Sequence, residues 1–313
     1  MFQRFILLSL LISACGATAA SAQGRYRKLA PGVIKKIEPQ IDEEETFSGP
    51  REVVELVGDA KLNWNPNYSS KTNTLLAKAQ ATIFRRQVWG LEFGFKPVRM
   101  IEVDGKQIWY LEYYVKNNGM HKNPEPETDQ NGNVIYSNKR VNHTVRFFPN
   151  FVLESHELNR AYMDSVMPAA VAKIRRREDP NRKFYDSVSI SSIPIKVSTP
   201  EEDNSVWGIA TWTNVDPRTD FFSVFVRGLT NAYRWEDPDG AFQPGSEPGT
   251  GRRYSFKTLQ LNFWRPGDSI DPNEREIRYG LPTKAQLPPK KGGDEILSIY
   301  RVPERVDYQW IYR

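Results

Sequence analysis

Alternating apolar and polar residues recur along most of this chain and predict β-strands. In QIWYLEYYVKNNG, every second residue from Trp109 to Val115 falls on one apolar face, and the segment stops at an Asn-Asn-Gly turn. The segments TDFFSVFVRG, YSFKTLQLNFWRPG and RVDYQWIYR repeat this alternation. Short strands rich in aromatic and β-branched residues, with few helices between them, are typical of antiparallel sandwiches. We therefore expect a mainly β fold.

Two segments follow helical spacing instead. The stretch 166–178 carries apolar residues every three or four positions, has Pro168 in its first turn and ends at an Asp-Pro pair. We expect Asp164 or Ser165 to cap its start and its apolar stripe to pack on a sheet. A second helix is predicted over residues 70–86. The stripe of the first helix consists of Met167, Ala170, Val171 and Ile174.

Several landmarks occur twice in the same order, which indicates a duplicated β-domain. A Val-Trp-Gly triplet surrounds Trp89 and another surrounds Trp207, and each precedes the strongest strand of its half. A polar loop follows in each half, at residues 119–138 and 232–251, and each leads through a basic pair into an aromatic strand. Chance agreement between two unrelated sandwiches would produce the same landmarks, so both explanations stay open.

Together these patterns predict two tandem immunoglobulin-like antiparallel β-sandwich lobes with a few connecting helices. The first lobe covers residues 67–155, a helical connection covers 156–183, and the second lobe covers 184–313. A polar, partly flexible segment, residues 23–66, precedes them and includes the acidic run from Asp42 to Glu45, which is expected to form a flexible arm. The chain is long enough for each lobe to bury its own core.

Residues 1–22 have the layout of a secretory signal peptide. Arg4 precedes an apolar stretch that ends in small residues suited to a cut after Ala22. The apolar run is shorter than the roughly twenty residues that cross a bilayer. The alternative is a cut before Cys15, because Ile-Ser-Ala-Cys resembles the lipobox of bacterial lipoproteins and would make Cys15 a lipidation site. Both cuts predict export to the periplasm, the cell surface or the medium.

Composition narrows the chemistry further. Cys15 is the only cysteine in 313 residues, which excludes an intrachain disulfide, a cysteine-ligated zinc and a cysteine nucleophile in the mature chain. The 43 Lys and Arg residues exceed the 38 Asp and Glu residues and give a net charge of +5. Because the chain is predicted to be exported and its charges are scattered, no nucleic-acid partner is expected. Contact with a membrane is expected only through a lipid on Cys15.

The motifs assign no catalytic, cofactor-binding or metal-binding residue. His121, His143 and His156 lack the spacing at which two ligands converge on one strand or helix face, although two of them could meet in the folded chain. The sequence has no Gly-x-Ser-x-Gly elbow and no phosphate-binding glycine loop. Segments 129–133 and 237–240 group oxygen-bearing side chains as calcium sites do, but they suit tight turns better.

Three segments resemble uncharacterised exported proteins of planctomycete-type bacteria. They are VWGLEFGFKPVRMIEVD and WYLEYYVKNNG in the first predicted lobe and VWGIATWTNVDPRTDFFSVFVRGLTN in the second. The resemblance implies a location in the cell envelope. It implies no activity and no site residues.

Three functions remain open at this point. The first is an exported, non-catalytic cell-envelope protein that acts in protein binding or surface assembly. The second is a glycan-binding module that uses exposed aromatic side chains. The third is an exported hydrolase, whose catalytic side chains would converge only in the folded chain. The expected partner is an envelope protein or a polysaccharide, and no cofactor is expected.

Overall fold

The structure is a computed structural model that describes residues 33–49, 85–241, 246–247, 249–266, 276–283 and 293–313. Its α-helices are α1 (Pro168–Glu178) and α2 (Gly293–Tyr300), and 3-10 turns lie at Glu43–Thr46 and Ser189–Ser192. In chain order the strands are β1 (Lys35–Ile37), β2 (Val88–Trp89), β3 (Glu92–Phe95), β4 (Arg99–Val103), β5 (Lys106–Lys116), β6 (Met120–Lys122), β7 (Glu127–Thr128), β8 (Val134–Ile135), β9 (Asn138–Arg140), β10 (Val145–Arg146), β11 (Asn150–Ser155), β12 (Arg160–Met163), β13 (Pro194–Ile195), β14 (Val206–Thr213), β15 (Phe221–Arg227), β16 (Tyr233–Glu236), β17 (Arg253–Trp264), β18 (Arg278–Tyr279) and β19 (Tyr308–Tyr312).

Two larger antiparallel sheets form the body of the fold. In the first, here named sheet A, β14 pairs with one edge of β5, while β3 and β4 pair in succession with the other edge and β1 lies outside β3. In the second, here named sheet B, β17 pairs with β15, which continues to β11 and β12, while β16, β19 and β18 pair in succession along β17. The smaller ladders are β2-β6-β9, β7-β8 and β10-β13.

Aromatic rings join the two sheets in one hydrophobic core. Trp109 of sheet A lies edge-on to Phe222 of sheet B, with 5.2 Å between ring centroids, and Tyr113 meets Phe151 at 4.8 Å. Such ring pairs contribute about 0.5–1.5 kcal/mol beyond the burial of their surface. The apolar faces predicted for β5, β15 and β17 all lie in this core, which includes Trp109, Leu111, Tyr113, Val115, Phe222, Val224, Val226, Leu259, Leu261 and Phe263.

Strands from both predicted lobes pair with each other in sheet A. β14 runs antiparallel to β5 from the pair Val206–Val115 to the pair Thr213–Ile108. Both strands are apolar on both faces, because one face meets sheet B and the other meets α1. The prediction of a mainly β protein with antiparallel sheets is confirmed. Two separate immunoglobulin-like lobes are not confirmed, and the predicted domain boundaries stay predictions.

The predicted duplication does not show in the strand pairing of the described residues. Trp89 lies opposite His121 in a two-residue strand, whereas Trp207 lies opposite Tyr114 in an eight-residue strand. The side chain of Trp89 packs against the core between the sheets, and that of Trp207 packs against the cluster under α1. After the first polar loop β10 pairs with β13, whereas after the second β17 pairs with β15. The two tryptophans are both partly buried but do not occupy equivalent positions.

Helix α1 packs on sheet A through the stripe that the sequence predicts. Ala170 and Ile174 are buried there, with Met167 and Val171 at the edge of the cluster. The helix begins at Pro168 without a side-chain cap, so the predicted cap at Asp164 or Ser165 is wrong. The reason is that the Ser165 backbone and hydroxyl pair with the backbone and hydroxyl of Thr211 in β14 instead.

Several predictions fall on residues that the structure does not describe. The signal peptide with Cys15 lies outside the described residues, so the choice between the two cuts stays a prediction. The same holds for most of the helix predicted over 70–86, although its last residues are described. There Arg85 forms an isolated antiparallel bridge with Phe47 instead of a helical turn. In the described part of the chain, no helix has the length and apolar character needed to cross a membrane.

Candidate functional site

An open cleft of about 670 Å³ lies where β16, β17 and β19 meet the segment 40–45. Its lining combines aromatic rings, carboxylates, amides and cations. Sites of this volume suit small ligands or a short stretch of a polymer. The lining includes Gln40, Asp42, Glu45, Arg234, Lys257, Asp307, Tyr308, Gln309, Trp310 and Tyr312.

The aromatic residues of the cleft come from the last strand. β19 alternates as predicted, and its pairing with β17 places Tyr308 opposite Leu261, Trp310 opposite Leu259 and Tyr312 opposite Lys257. Leu259 and Leu261 belong to the core, and Trp310 packs against its edge. Tyr308 lies further out, with 41% of its surface exposed. The face of sheet B that packs in the core therefore also contributes a row of aromatic rings to the cleft.

A buried carboxylate ties the segment 40–45 to sheet B. Glu45 is 3% exposed and accepts hydrogen bonds from Lys257 Nζ at 2.5 Å, from Tyr312 Oη at 2.8 Å and from the backbone of Asp42 at 3.1 Å. Lys257 also donates to the carbonyl of Gln40. Burial and the bond to Glu45 raise the pKa of the Tyr312 phenol. The predicted flexible arm is therefore not confirmed for this acidic run, which instead forms a capped 3-10 turn held by a buried ion pair.

Arg234 links the cleft to a smaller neighbouring cavity, here named the side cavity. The side cavity has a volume of about 290 Å³ and is lined by Phe47, Ser48, Gly49, Arg85, Arg234 and Trp235, with Glu44 also in its lining. The Arg234 guanidinium lies 4.1 Å from the ring centroid of Tyr312. The Trp235 ring is covered by Arg252, which is itself paired with Asp237 at 2.8 Å. These contacts hold the wall between the two spaces in place.

Two of the three histidines meet in the folded chain. The rings of His121 and His143 lie 5.9 Å apart, and His121 Nδ1 is bonded to the carbonyl of Gly119 at 2.9 Å. His121 is buried and His143 is exposed. Among the described residues no group of three His, Cys, Asp or Glu side chains is placed to hold a metal ion. The pair alone provides two ligands, whereas a structural zinc site uses four.

The third histidine contacts a serine, but the hydrogen bond between them runs in the wrong direction to activate a nucleophile. His156 Nε2 lies 2.8 Å from Ser223 Oγ, and Ser223 donates its one proton to Asn262 Oδ1 at 2.8 Å. His156 must then donate to Ser223, so it cannot act as the base that activates this hydroxyl. Burial lowers the pKa of His156 to about 4. Ser223 itself is 0% exposed, so a substrate cannot reach it.

A second buried charge cluster lies between α1 and sheet A. Glu178 accepts from Arg99 at 2.8 Å, from Lys96 at 3.2 Å and from Tyr110 at 2.5 Å, and Lys96 also pairs with Glu112 at 2.7 Å. Burial alone would raise the pKa of Glu178, but the bond from Tyr110 and the charge of Arg99 outweigh it and hold that pKa at about 2. Burial raises the pKa of Glu112. The cluster lines neither the cleft nor the side cavity.

Both candidate calcium segments form turns. Gly132 has φ 82°, and the Asp129 carboxylate accepts two backbone N–H groups of its own loop at 2.8 and 2.7 Å. In the other segment Gly240 has φ 80°, and the Asp237 carboxylate is occupied by Arg252. Glycine reaches these positive φ values without the steric cost of a side chain. The structure agrees with the turn interpretation of both segments.

Most residues of the cleft were not singled out by the sequence. The alternation of RVDYQWIYR predicts a strand with its aromatic rings on one face, but it does not say that a cleft opens beside them. Asp42 and Glu45 carry a local signal, because an acidic cap followed three residues later by Glu is a capping box. Comparisons with protein-family models, with curated proteins and with solved structures find no match to this chain. The function is therefore inferred from the geometry.

Proposed function

We propose that this protein is an exported envelope protein that binds a glycan in the cleft beside β19. One observation carries the proposal: three aromatic residues at alternate positions, Tyr308, Trp310 and Tyr312, line a single open cleft together with carboxylate, amide and cationic side chains. Export and the envelope location come from the predicted signal peptide. The immunoglobulin-like description of the two lobes stays a prediction beside this proposal.

The lining matches the two kinds of surface that a sugar presents. The C–H face of a pyranose ring is apolar and packs on aromatic rings, which bury much surface at little cost in side-chain entropy. Its hydroxyl groups both donate and accept hydrogen bonds. Asp42 and Arg234 line the same cleft and provide acceptors and donors for them. Aromatic and polar groups within one cleft thus favour a glycan over a purely apolar ligand.

Binding is favoured over hydrolysis because Glu45, the most buried of the three carboxylates that line the cleft, is already occupied. Glu45 accepts from Lys257 and Tyr312, and its charge is balanced there. A glycosidase needs one carboxylic acid that donates a proton and a second carboxylate about 5–9.5 Å away. Both carboxylate oxygens of Glu45 already accept hydrogen bonds within the protein, so Glu45 is not placed to serve a sugar as the proton donor. The Ser223–His156 pair provides no alternative, because Ser223 is inaccessible.

Two matched tyrosine variants test the glycan proposal. Tyr308→Ala removes an exposed ring of the cleft, and Tyr254→Ala removes an exposed ring on β17 that does not line it. We expect Tyr308→Ala to weaken the binding of neutral and acidic oligosaccharides, measured by calorimetry, by about fivefold to tenfold. Tyr254→Ala should leave the dissociation constant unchanged. Because both rings are exposed, both variants should melt within a few degrees of the wild type.

Two results would refute the proposal. One is the absence of binding across a panel of envelope oligosaccharides. The other is an equal effect of both variants, because a ring outside the cleft would then matter as much as one inside it.

Protein binding is the second candidate, and one surface favours it. Tyr254 and Phe256 are 54% and 39% exposed, and both rings lie 6.2 Å from the ring of Tyr233. Exposed aromatic clusters of this kind are enriched at protein interfaces. If protein binding is the main function, Phe256→Ser should abolish capture of an envelope partner while Tyr308→Ala leaves it intact.

A further inference from the structure

Arg234 stands where the cleft meets the side cavity and lines both spaces. Its contact with the Tyr312 ring holds the planar guanidinium in place, and the outer edge of such a group binds oxyanions in a bidentate manner. The contacts of Arg234 in the described part of the chain are with Tyr312, and none is with a carboxylate. Arg234 is therefore a positioned cation whose charge is not neutralised by those residues.

Two more arginines lie beside the side cavity with unused donors. Arg85 Nη1 donates to the hydroxyl of Thr46 at 2.6 Å, and Arg86 Nε donates to the hydroxyl of Ser48 at 2.6 Å. Arg85 Nε and Arg86 Nη2 are buried and have no hydrogen-bond partner among the residues that the structure describes. Buried donors are rarely left unpaired in folded proteins, because an unmade bond to a charged group costs several kcal/mol. Burial also lowers the pKa of Arg86, although the nearby Tyr233, Tyr312 and Glu45 partly oppose that effect.

The nearby acidic residues offset these charges only in part, since the charge of Glu45 favours the charged form of Arg86 and Glu44 lines the side cavity itself. Glu45 is bound by Lys257 and Tyr312, and Glu44 is exposed to solvent. Guanidinium groups gathered around one small cavity repel each other, and a bound anion removes that repulsion. Phe47 and Trp235 add an apolar wall to the side cavity, which lowers the local dielectric and strengthens an ion pair made there.

We propose that the glycan of the cleft is acidic and that its carboxylate or sulfate group enters the side cavity between Arg85 and Arg234. This inference rests on the proposed function and adds the chemical class of the ligand. The sugar ring lies against the aromatic row of β19, and the oxyanion accepts from the two guanidinium groups. Because the two spaces meet at Arg234, one ligand occupies both.

The test compares charged and neutral forms of one sugar. Calorimetry would measure the binding of trigalacturonate, its methyl ester and a sulfated disaccharide to the wild type, to Arg234→Gln and to Arg253→Gln. Arg253 is the matched control, because it is an exposed arginine on β17 that lines neither space. The wild type should bind the acid about tenfold to a hundredfold more tightly than the ester. Arg234→Gln should remove that preference and Arg253→Gln should retain it.

Each outcome separates this inference from the function on which it rests. Equal binding of acid and ester overturns the inference and leaves glycan binding in place. Inorganic sulfate bound as tightly as the sulfated disaccharide also overturns it, since the sugar ring then contributes nothing. The absence of binding by every sugar overturns the proposed function itself. A preference for the acid that weakens as salt rises, and that Arg234→Gln abolishes, supports the inference.

Discussion

The molecule holds two buried charge clusters whose surroundings differ. In the cleft, Glu45 pairs with Lys257, and both side chains are less than 5% exposed. Under α1, Glu112 and Glu178 share Lys96, with the two carboxylates 1% and 3% exposed. Each cluster connects a strand to a neighbouring segment. Only the first borders an open space of about 670 Å³.

A buried carboxylate with a perturbed pKa is not by that fact a functional one. The pKa of Glu178 is lowered to about 2, and this carboxylate is enclosed between a helix and a sheet. Glu45 shapes a cleft that a ligand can enter. The lowered pKa of Glu178 is therefore explained by its structural role, whereas Glu45 is distinguished by its position beside a space that a ligand can enter. Variants in the two clusters should accordingly affect different properties.

The largest expected effect is the loss of Glu178. Glu178→Ala leaves Lys96, Arg99 and Tyr110 without their common partner, and we expect it to lower the free energy of unfolding by about 3 kcal/mol. Urea unfolding measures the change, and glycan binding should be retained. Glu127→Ala is the control, because its ion pair with Lys139 is exposed and solvent screens the attraction between the two charges. Similar losses in both variants would mean that the cluster under α1 adds nothing to stability.

A smaller effect is expected for Lys257 in the cleft. Lys257→Met should lower the free energy of unfolding by about 2 kcal/mol, since Glu45 keeps its bonds from Tyr312 and Asp42. It should also weaken glycan binding, which Glu178→Ala should not. The double variant Glu45→Gln with Lys257→Met should recover part of the lost stability, because no unpaired buried charge remains. Strictly additive losses would contradict a direct interaction between the two side chains.

The smallest expected effect is the pH dependence of the cluster under α1. The pKa of Glu178 is about 2 in the folded protein and 4.5 as its ordinary value. Its contribution to stability is therefore fully present above its ordinary pKa and is lost as pH falls from about 5 towards 2. Glu112 acts in the opposite direction, since its pKa is raised.

The matching measurement is the urea midpoint at pH 5 and at pH 3. Between pH 5 and pH 3 the free energy of unfolding should fall by about 1 kcal/mol more in the wild type than in Glu178→Gln. The difference is no larger because Lys96 and Arg99 are partly exposed, so solvent screens their attraction to the carboxylate. Parallel changes in the wild type and the variant would assign the acid sensitivity to other groups.

The local elements and the faces they bury follow from the residue pattern. The alternation from Trp109 to Val115 placed one face of β5 in the core, and the spacing of Ala170 and Ile174 placed α1 on a sheet. Both patterns are readable because side chains repeat every two residues in a strand and about every 3.6 in a helix, whatever the rest of the chain does. The capping box at Asp42 is also a local signal, but the prediction for that acidic run was a flexible arm.

Which elements pair with each other is visible only in the folded chain. β14 pairs with β5 across the predicted helical connection, and Glu45 meets Lys257 although 212 positions separate them. Alternation shows that a strand has an apolar face, but it does not identify the strand on its hydrogen-bonded edge, since backbone N–H and C=O groups are the same for every partner. The cleft lies beside β19 because that strand pairs with residues 257–261 of β17, and that register depends on the whole fold.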